Sequence, residues 1–377
     1  MEPPLKGLRV LELARILAGP WAGQVLADLG AEVHKIESID GDDTRRWGPP
    51  FIENPDGSHD AAYFHAANRG KHSEAVDLRS PAGQHRIREL AARSDVLIEN
   101  FKVGGLAKYG LDYASLAAVN PMLVYCSITG FGQEGPYAPR AGYDFIVQGM
   151  SSVMDLTGDP DGQPQKIGIA YADIMTGLYS VIAIQAALAE RQHSGKGQHI
   201  DMALFDVMVG TLANQGMNYL ASGKTPTRLG NAHPNIAPYE TFPALDGWFI
   251  LAVGNDDQFR RCCAVMEIPL DSRFATNADR VRNRDALSAL ITAASKLWAR
   301  DDLLTALETV GVPAGPINTV AQALADPQIL HRGMQIESCD KHGRSVPGIR
   351  TPIQFSRSPL AISTPAPCLQ TQTEEPD

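Results

Sequence analysis

The strongest constraint on the fold is an alternation of apolar runs and helical segments over the first 130 residues. The first strand, helix and strand span only about thirty residues, as in a right-handed βαβ unit. We therefore predict an α/β fold, a Rossmann-like and mostly parallel sheet with helices on both faces. The predicted buried strands are 8–13, 31–36, 73–78, 95–98 and 122–128.

The chain is too long for one small core, with 377 residues and a change of composition near Ala221. We predict a large Rossmann-like domain over 1–200, a linker over 201–225 and a smaller α+β domain over 226–330. The C-terminal segment 331–377 is predicted to return to the large domain. The sequence shows no internal repeat and no heptad pattern.

Composition narrows the class of protein. Apolar residues make up 44% of the chain and charged residues 20%, which is typical of a soluble globular protein. The net charge of -10 argues against nucleic acid or an anionic membrane as the main partner. Five scattered cysteines without a CxxC pair suit a reducing compartment and indicate no metal site. The N-terminus lacks a signal-peptide pattern, and no apolar run is free enough of polar residues to span a membrane, so we predict a cytoplasmic protein.

Ligands of such sheets bind beyond the carboxyl ends of the strands. The first turn is not GxGxxG, so the dinucleotide fingerprint is absent, and the sequence contains no HExxH, GxSxG or P-loop motif. Glycine-rich or polar segments are expected at the carboxyl ends of the strands, and they cover 15–20, 37–46, 68–71, 99–105 and 129–136.

One carboxylate stands out. Asp173 directly precedes a long apolar segment, 174–188, in which only Thr176, Ser180 and Gln185 are clearly polar. This pattern predicts a buried helix with Asp173 as its N-cap, where a carboxylate is rigid and easily ionised. The same position suits a covalent nucleophile or a general base. On this stretch alone a structural cap is favoured, because such caps far outnumber catalytic carboxylates.

A series of sequence blocks runs along essentially the whole chain. They are LELARILAGPWAGQVLADLGAEVHKIE, GDDTR, NRGKHS, DVLIENF, SITGFGQEGP, AGYDFIVQGMS, YADIMTGLYS, SGKGQHIDMAL, RLGNAHPNIAPY, GVPAGPIN and DPQIL. No single block is specific, but in number and order they resemble the family III CoA-transferases of the formyl-CoA transferase type. Within that family, RLGNAHPNIAPY and AGYDFIVQGMS are most similar to succinyl-CoA-dependent glutarate or other dicarboxylate transferases.

The resemblance implies that Asp173 attacks an acyl-CoA thioester, giving a mixed anhydride and free CoA thiolate and then an aspartyl-CoA thioester. Coenzyme A is the only cofactor implied, as a co-substrate, and no metal is implied. Two lysines of the implied CoA site would contact phosphates, Lys71 and Lys108. The implied CoA site comprises Arg15, Ala18, Lys71, Asn100, Phe101 and Lys108.

The resemblance also bears on the acid substrate and on assembly. Arg15 and Leu17 replace a histidine and a glutamine of formyl-CoA transferase, and Gly254–Gln258 replaces its glycine-only loop, which argues against formate or oxalate. The family forms homodimers of two interlocked chains, so we expect the same partner here. The donor and acceptor acids stay open. A dicarboxylate would need a cation at its distal end, and the candidate substrate residues are Tyr143, Asp144, Arg228, His233 and Gly254.

Two alternatives remain. An α-methylacyl-CoA racemase of the same family needs a His–Asp pair in an AGHD motif, and this chain has Tyr143 in AGYD. Tyrosine is a poor general base at neutral pH because its ordinary pKa is about 10. A nucleotide-binding oxidoreductase on the same type of sheet is the alternative from another class. The missing GxGxxG motif argues against it.

Overall fold

The computed structural model describes residues 1–340, 343–362 and 364–369. The chain divides into two compact units. The first contains Met1–Val153, Lys166–Leu220 and the described residues from Pro327 onward. The second contains Met154–Gln165 and Ala221–Asp326, so a short segment that the sequence places in the large domain groups with the second unit instead.

Thirteen strands form within the described residues. They are β1 (Arg9–Glu12), β2 (Glu32–Glu37), β3 (Phe51–Glu53), β4 (His59–Ala61), β5 (Lys71–Ala75), β6 (Val96–Glu99), β7 (Val124–Thr129), β8 (His199–Ala203), β9 (Tyr239–Pro243), β10 (Trp248–Ala252), β11 (Ala314–Pro316), β12 (Gln335–Cys339) and β13 (Ser345–Ile349).

Fifteen α-helices form in the same described ranges, together with three short 3₁₀ segments at Asp43–Arg46, Ala107–Tyr109 and Ser272–Phe274. The helices are α1 (Ala18–Asp28), α2 (Ala62–His65), α3 (Pro81–Ala92), α4 (Tyr113–Val119), α5 (Asp144–Met150), α6 (Val153–Leu156), α7 (Tyr171–Ser194), α8 (Leu204–Gly210), α9 (Ala213–Ser222), α10 (Asp256–Val265), α11 (Asn277–Arg282), α12 (Arg284–Ser295), α13 (Arg300–Thr309), α14 (Val320–Leu324) and α15 (Pro327–His331).

The first unit is built on a six-stranded sheet in the order β5-β2-β1-β6-β7-β8. Every neighbouring pair in this sheet is parallel, as predicted. The chain runs outward from β1 through β2 to β5 and then crosses back to β6, so the strand order reverses between β1 and β6. In open α/β sheets this switch point is where ligands bind, beyond the carboxyl ends of the two strands.

Helices cover both faces of this sheet, which confirms the predicted layers. On one face Val10, Val96 and Cys126 are buried under α1 and α7. On the other face Leu97 and Tyr125 are buried in a second apolar cluster that includes residues of α3 and α4. The alternation of side chains along each strand supplies both clusters, because successive residues point to opposite faces.

The second unit has its own apolar core and a three-stranded sheet. The strand order is β11-β10-β9, and both pairs are antiparallel. Phe242, Phe249 and Leu251 are fully buried against residues of α10, α12 and α13. This unit is therefore an α+β structure, in which helices cover one antiparallel sheet.

Helix α7 needs a separate comment because it is long and apolar. Its mean hydropathy of 1.4 over an 18-residue window and its length would be sufficient to cross a membrane, contrary to our sequence-based expectation that no segment qualifies. Core helices of soluble proteins pass the same test. Here Val181, Ile184 and Ala187 of α7 are buried in the cluster that also contains α1 residues, which is the environment of a core helix.

Candidate active site

Asp173 lies in the first turn of α7, and it is not the N-cap that the sequence predicts. The helix begins at Tyr171, with Ala170 in the cap position and no cap hydrogen bond from its own side chain. The missing partner comes from Asp144, whose Oδ1 accepts a hydrogen bond of 2.8 Å from the Ala172 amide. Asp144 thereby releases Asp173 from the capping role. In the part of the chain that the structure describes, no residue donates a hydrogen bond to the Asp173 carboxylate.

Asp144 is itself held in place. Its Oδ2 accepts a hydrogen bond of 2.8 Å from Gln148 Nε2, and Gln148 Oε1 accepts one of 2.9 Å from the Ile167 amide. These contacts fix the segment that leads into α7 and fix the Asp144 carboxylate next to Asp173. Asp144, a candidate substrate residue from the sequence, thus contacts the start of α7 in this structure.

The electrostatic environment of Asp173 differs from the expected one. Burial, and then the neighbouring Asp144 carboxylate, raise the pKa of Asp173 to about 7. The sequence-based expectation of an easily ionised carboxylate is therefore wrong. A carboxylate with a raised pKa and no hydrogen-bonding partner is costly to keep, and such groups cluster at functional sites.

Tyr63 is a site residue that sequence reasoning missed. Burial raises the pKa of its phenol, and three nearby carboxylates add to the effect. They belong to Asp173, Asp144 and Asp42. The Tyr63 ring makes an edge-to-face contact with half-exposed Trp47 at a centroid distance of 5.4 Å. A phenol near three carboxylates is a hydrogen-bond donor close to the candidate nucleophile.

The start of α1 faces the start of α7. A Cβ on Gly177 would lie 2.7 Å from the Ala18 carbonyl oxygen, so the two helices touch one turn beyond Asp173. Helix α1 begins at Ala18, with Pro20 in its first turn, where proline is well tolerated. Ala18, a residue of the predicted CoA site, therefore lies close to the candidate nucleophile.

Arg15 and Asn100 meet at the switch point of the sheet. Asn100 Oδ1 accepts a hydrogen bond of 3.0 Å from the Arg15 amide, and its Nδ2 donates one of 2.7 Å to the Arg15 carbonyl. The Arg15 side chain is 64% exposed and pairs with Asp43 at 2.9 Å. Asn100 thus fixes the backbone of the loop after β1, while the Arg15 guanidinium remains accessible to a ligand.

Lys71 does not occupy the position that a phosphate ligand requires, and this corrects our expectation. It is the first residue of β5, so the segment 68–71 lies at the amino end of this strand and not at the predicted carboxyl end. Its side chain is fully buried and donates to Pro20, Asn68 and Glu12. Burial lowers the pKa of Lys71 to about 8.

The other two predicted CoA residues follow β6. Phe101 lines a cavity of about 300 Å³ whose wall also includes Tyr113, Tyr125 and His199. Lys108 is exposed, with its ammonium 4.7 Å from the centroid of the Tyr109 ring. An accessible cation next to a half-buried aromatic ring suits a nucleotide ligand better than the buried Lys71 does.

Of the five predicted substrate residues, Tyr143 and Asp144 lie in the first unit, and Tyr143 is 63% exposed at the start of α5. The other three lie in the second unit. The Arg228 guanidinium donates to the Asp155 carboxylate and to the carbonyls of Asp155, Asp159 and Gly162. Because these contacts occupy its nitrogens, the structure does not present Arg228 as a carboxylate ligand, which corrects our expectation.

His233 and Gly254 have local partners within the second unit. His233 Nδ1 accepts a hydrogen bond of 3.1 Å from the Asn235 amide, and its ring contacts Tyr239 at a centroid distance of 5.3 Å. The Gly254 amide donates to Gln258 Oε1 at 2.8 Å. No cluster of three metal-ligating side chains occurs among residues 1–340, 343–362 and 364–369.

Comparison with known proteins identifies the class of site. The model of CoA-transferase family III matches residues 5–373. A succinate–glutarate CoA-transferase of Agrobacterium fabrum is 58% identical over 373 residues, which cover 98% of this chain and 93% of the relative. The human succinyl-CoA:glutarate CoA-transferase is 39% identical over 376 residues, covering 98% and 84%.

A solved structure agrees with these relatives. The crystal structure of a CaiB/BaiF family protein from Brucella suis has a TM-score of 0.88 and 62% identity, and the match covers 98% of this chain and 97% of that one. The family match over residues 5–373 decides against the oxidoreductase alternative. This chain belongs to CoA-transferase family III.

Proposed function

We propose that this enzyme transfers CoA between succinyl-CoA or glutaryl-CoA and a free dicarboxylic acid. The observation that carries the proposal is the Asp173 carboxylate, which lies at the first turn of a core helix without a hydrogen-bonding partner among the described residues. The names of the similar enzymes supply the acids, since they are succinate–glutarate and succinyl-CoA:glutarate CoA-transferases.

In this proposal Asp173 is a covalent nucleophile. One of its oxygens attacks the thioester carbonyl of the donor, the carbon–sulfur bond breaks, and a mixed anhydride and CoA thiolate result. The thiolate then attacks the Asp173 carbonyl, releasing the donor acid and leaving an aspartyl-CoA thioester. The acceptor carboxylate repeats these steps in reverse and leaves as the new acyl-CoA, which regenerates the Asp173 carboxylate.

The surroundings of Asp173 suit this chemistry. Asp173 lies in the first turn of α7, and a helix N-terminus favours negative charge that develops there. The phenol of Tyr63 adds a donor, and its raised pKa keeps the proton in place at neutral pH. We propose a CoA site made by Arg15, Ala18, Asn100, Phe101 and Lys108.

We expect the pH dependence of kcat/KM to report Asp173. Only the ionised carboxylate attacks, so with a pKa of about 7 the rate should rise through pH 7 and level off above it. Asp144→Asn keeps an acceptor for the Ala172 amide but removes a negative charge beside Asp173. In this variant the midpoint of the kcat/KM profile should shift to lower pH by about 0.5–1 unit.

The matched control for this shift is Asp77→Asn, because Asp77 pairs with Arg79 at the surface. Its pH profile should coincide with that of the wild type. A profile of Asp144→Asn that stays in place, or moves to higher pH, would contradict the assignment of the titrating group to Asp173.

The acid specificity is tested by a CoA-exchange assay. Succinyl-CoA and glutaryl-CoA are offered to a panel of monocarboxylic and dicarboxylic acids, and the new acyl-CoA is quantified. Dicarboxylates should be preferred, with Tyr143, His233 and Gly254 as proposed substrate residues. If no exchange occurs but the α-proton of a 2-methylacyl-CoA is exchanged with solvent, the racemase alternative is correct.

We also propose a homodimer of interlocked chains in the cytoplasm. Large apolar side chains of α5, α7 and α9 are exposed in the single chain, among them Phe145, Ile182, Met217 and Leu220 at 58–75%. An apolar surface of this kind is typical of a subunit interface. Light scattering should give the mass of two chains, and the mass of one chain would contradict the proposal.

A further inference from the structure

Four charged side chains form a buried cluster beneath the loop that joins β1 to α1. They are Glu12, Lys35, Asp42 and Lys71, and their side chains are 0–1% exposed. Lys35 Nζ lies 3.1 Å from Glu12 Oε1 and 3.0 Å from Asp42 Oδ2. Lys71 Nζ lies 2.8 Å from Glu12 Oε2. This four-charge cluster has no net charge, since two carboxylates balance two ammonium groups.

The cluster holds both ends of the loop 14–20. Lys35 Nζ donates a hydrogen bond of 2.9 Å to the carbonyl of Ala14, where the loop begins. Lys71 Nζ donates one of 2.8 Å to the carbonyl of Pro20, in the first turn of α1. Each lysine therefore donates one hydrogen bond to the loop backbone and at least one to a carboxylate.

The cluster also holds the middle of the loop. The Ile16 amide donates to both oxygens of Asp42, at 3.3 and 3.2 Å. Ile16 has a φ of +70°, which is rare for a β-branched residue because its side chain crowds the backbone there. Such a conformation persists only where the surroundings impose it. The Asp42 carboxylate, fixed by Lys35, supplies that constraint.

Two glycines show how closely the parts fit. A Cβ on Gly23 would lie 1.8 Å from Glu12 Oε2, so α1 can approach the cluster only with glycine at this position. A Cβ on Gly19 would lie 2.2 Å from the Ala14 Cβ, so the loop folds back tightly on itself. The loop and the start of α1 are thus packed closely against the four-charge cluster and against Ala14, the first residue of the loop.

The held loop faces the candidate nucleophile. Its Ala18 carbonyl abuts α7 at Gly177, one turn beyond Asp173. The Tyr63 phenol lies within electrostatic range of both Asp42 and Asp173. A buried ion-pair cluster gives little stability over apolar packing of the same volume, but it does provide directed hydrogen bonds.

We propose that Lys35 and Lys71 are positioning residues, which set the loop 14–20 through the four-charge cluster for acyl transfer at Asp173. The inference rests on the proposed function, because it assigns these lysines a part in that reaction. A displacement of about 1 Å in such a loop is sufficient to lower the rate about 100-fold.

Two variants separate positioning from stability. Lys71→Met keeps the length of the side chain but removes its donors, and it leaves the cluster with one excess negative charge. The double variant Glu12→Gln/Lys71→Met restores charge balance, while the Pro20 carbonyl still lacks its donor. We expect the double variant to recover most of the thermal stability that Lys71→Met loses, and kcat to stay about 100-fold low in both.

Lys6→Met, which removes an exposed lysine paired with Glu2, is the control and should retain wild-type kcat. Wild-type kcat in Lys71→Met would overturn the proposal. So would a double variant in which stability and kcat recover together, since the effect would then be one of charge balance alone.

A measurement on the wild type keeps the proposal testable if the variants do not fold. Hydrogen–deuterium exchange of peptides that cover residues 13–22 should show slow exchange at Ile16 and Trp21, because both amides have fixed acceptors. Exchange as fast as in an open loop would overturn the proposal. This arm needs no activity, so it gives a result even if the wild type shows no CoA exchange and the proposed function itself fails.

Discussion

Asp173→Ala should lower the rate of CoA exchange between succinyl-CoA and glutarate by at least about 10⁴-fold, because no other group takes over the covalent step. The fold should survive, since the cap of α7 comes from Asp144 and not from Asp173. The measurement is the formation of glutaryl-CoA by the wild type and the variant, at equal concentrations of folded protein.

A matched control is Asp206→Ala. Asp206 is also a carboxylate in the first turn of a helix, α8, but it is exposed. Its exchange rate should stay within about twofold of the wild type, as is usual for a surface substitution. Undiminished exchange in Asp173→Ala would return Asp173 to a structural role and would refute the proposed mechanism.

Asp173→Asn should make the protein more stable at pH 8, although it is inactive. The folded protein holds the Asp173 proton up to a pKa of about 7, whereas the model value for a solvated aspartate is 3.8. As pH rises from 3.8 to 7, the unfolded chain loses this proton and the folded chain keeps it. Stability therefore falls through this window, and the cost remains above pH 7.

The neutral asparagine removes that cost. The full shift would correspond to about 4 kcal/mol, and partial solvent exposure reduces our expectation to about 1–3 kcal/mol at pH 8. Near pH 4 most of this difference should be gone, because the Asp173 carboxyl is then protonated in the folded state and partly protonated in the unfolded chain. Thermal unfolding of both proteins from pH 4 to pH 8 measures the stability difference at each end of this range.

Asp206→Asn serves again as the reference, with an unfolding midpoint that should match the wild type at each pH. An Asp173→Asn variant that is less stable than the wild type at pH 8 would mean that the carboxylate stabilises the fold. Asp173 would then act as an ordinary helix-terminal acid.

Local sequence pattern was sufficient for the sheet of the first unit. Apolar runs such as 122–128 fall on the observed β7, and Ser80 with Pro81 marks the start of α3, where the Ser80 hydroxyl accepts the Gly83 amide. These features depend on residues that are neighbours in the chain, so periodicity and capping rules find them. The predicted parallel direction of the strands follows from the helices between them, because parallel strands need a crossover connection.

The site depended on contacts that local pattern does not contain. The cap of α7 comes from Asp144, which lies 28 residues before Ala172, the residue whose amide donates to it. Lys71 resembles a surface lysine in NRGKHS, but parallel pairing of β5 with β2 aligns it with Val33, inside the sheet. Its partner Glu12 is 59 residues away.

Arg228 and Tyr63 illustrate the same limit. The hydrogen-bond acceptors of Arg228 lie about seventy residues earlier, at Asp155, Asp159 and Gly162. The sequence therefore predicts a cation free to bind a substrate, whereas in the structure its guanidinium is hydrogen-bonded within the protein. Tyr63 follows a short strand and belongs to no motif. Only the fold brings its phenol near Asp173.

The identity of the nucleophile is tested most directly by mass spectrometry of the covalent intermediate. The wild type is mixed with succinyl-CoA without an acceptor acid, quenched in acid and digested. The account predicts that the peptide containing Asp173 gains the mass of CoA as a thioester, and that hydroxylamine converts it to the hydroxamate. CoA attached to Asp144 or to any other residue, or an active enzyme that carries no adduct, would contradict it.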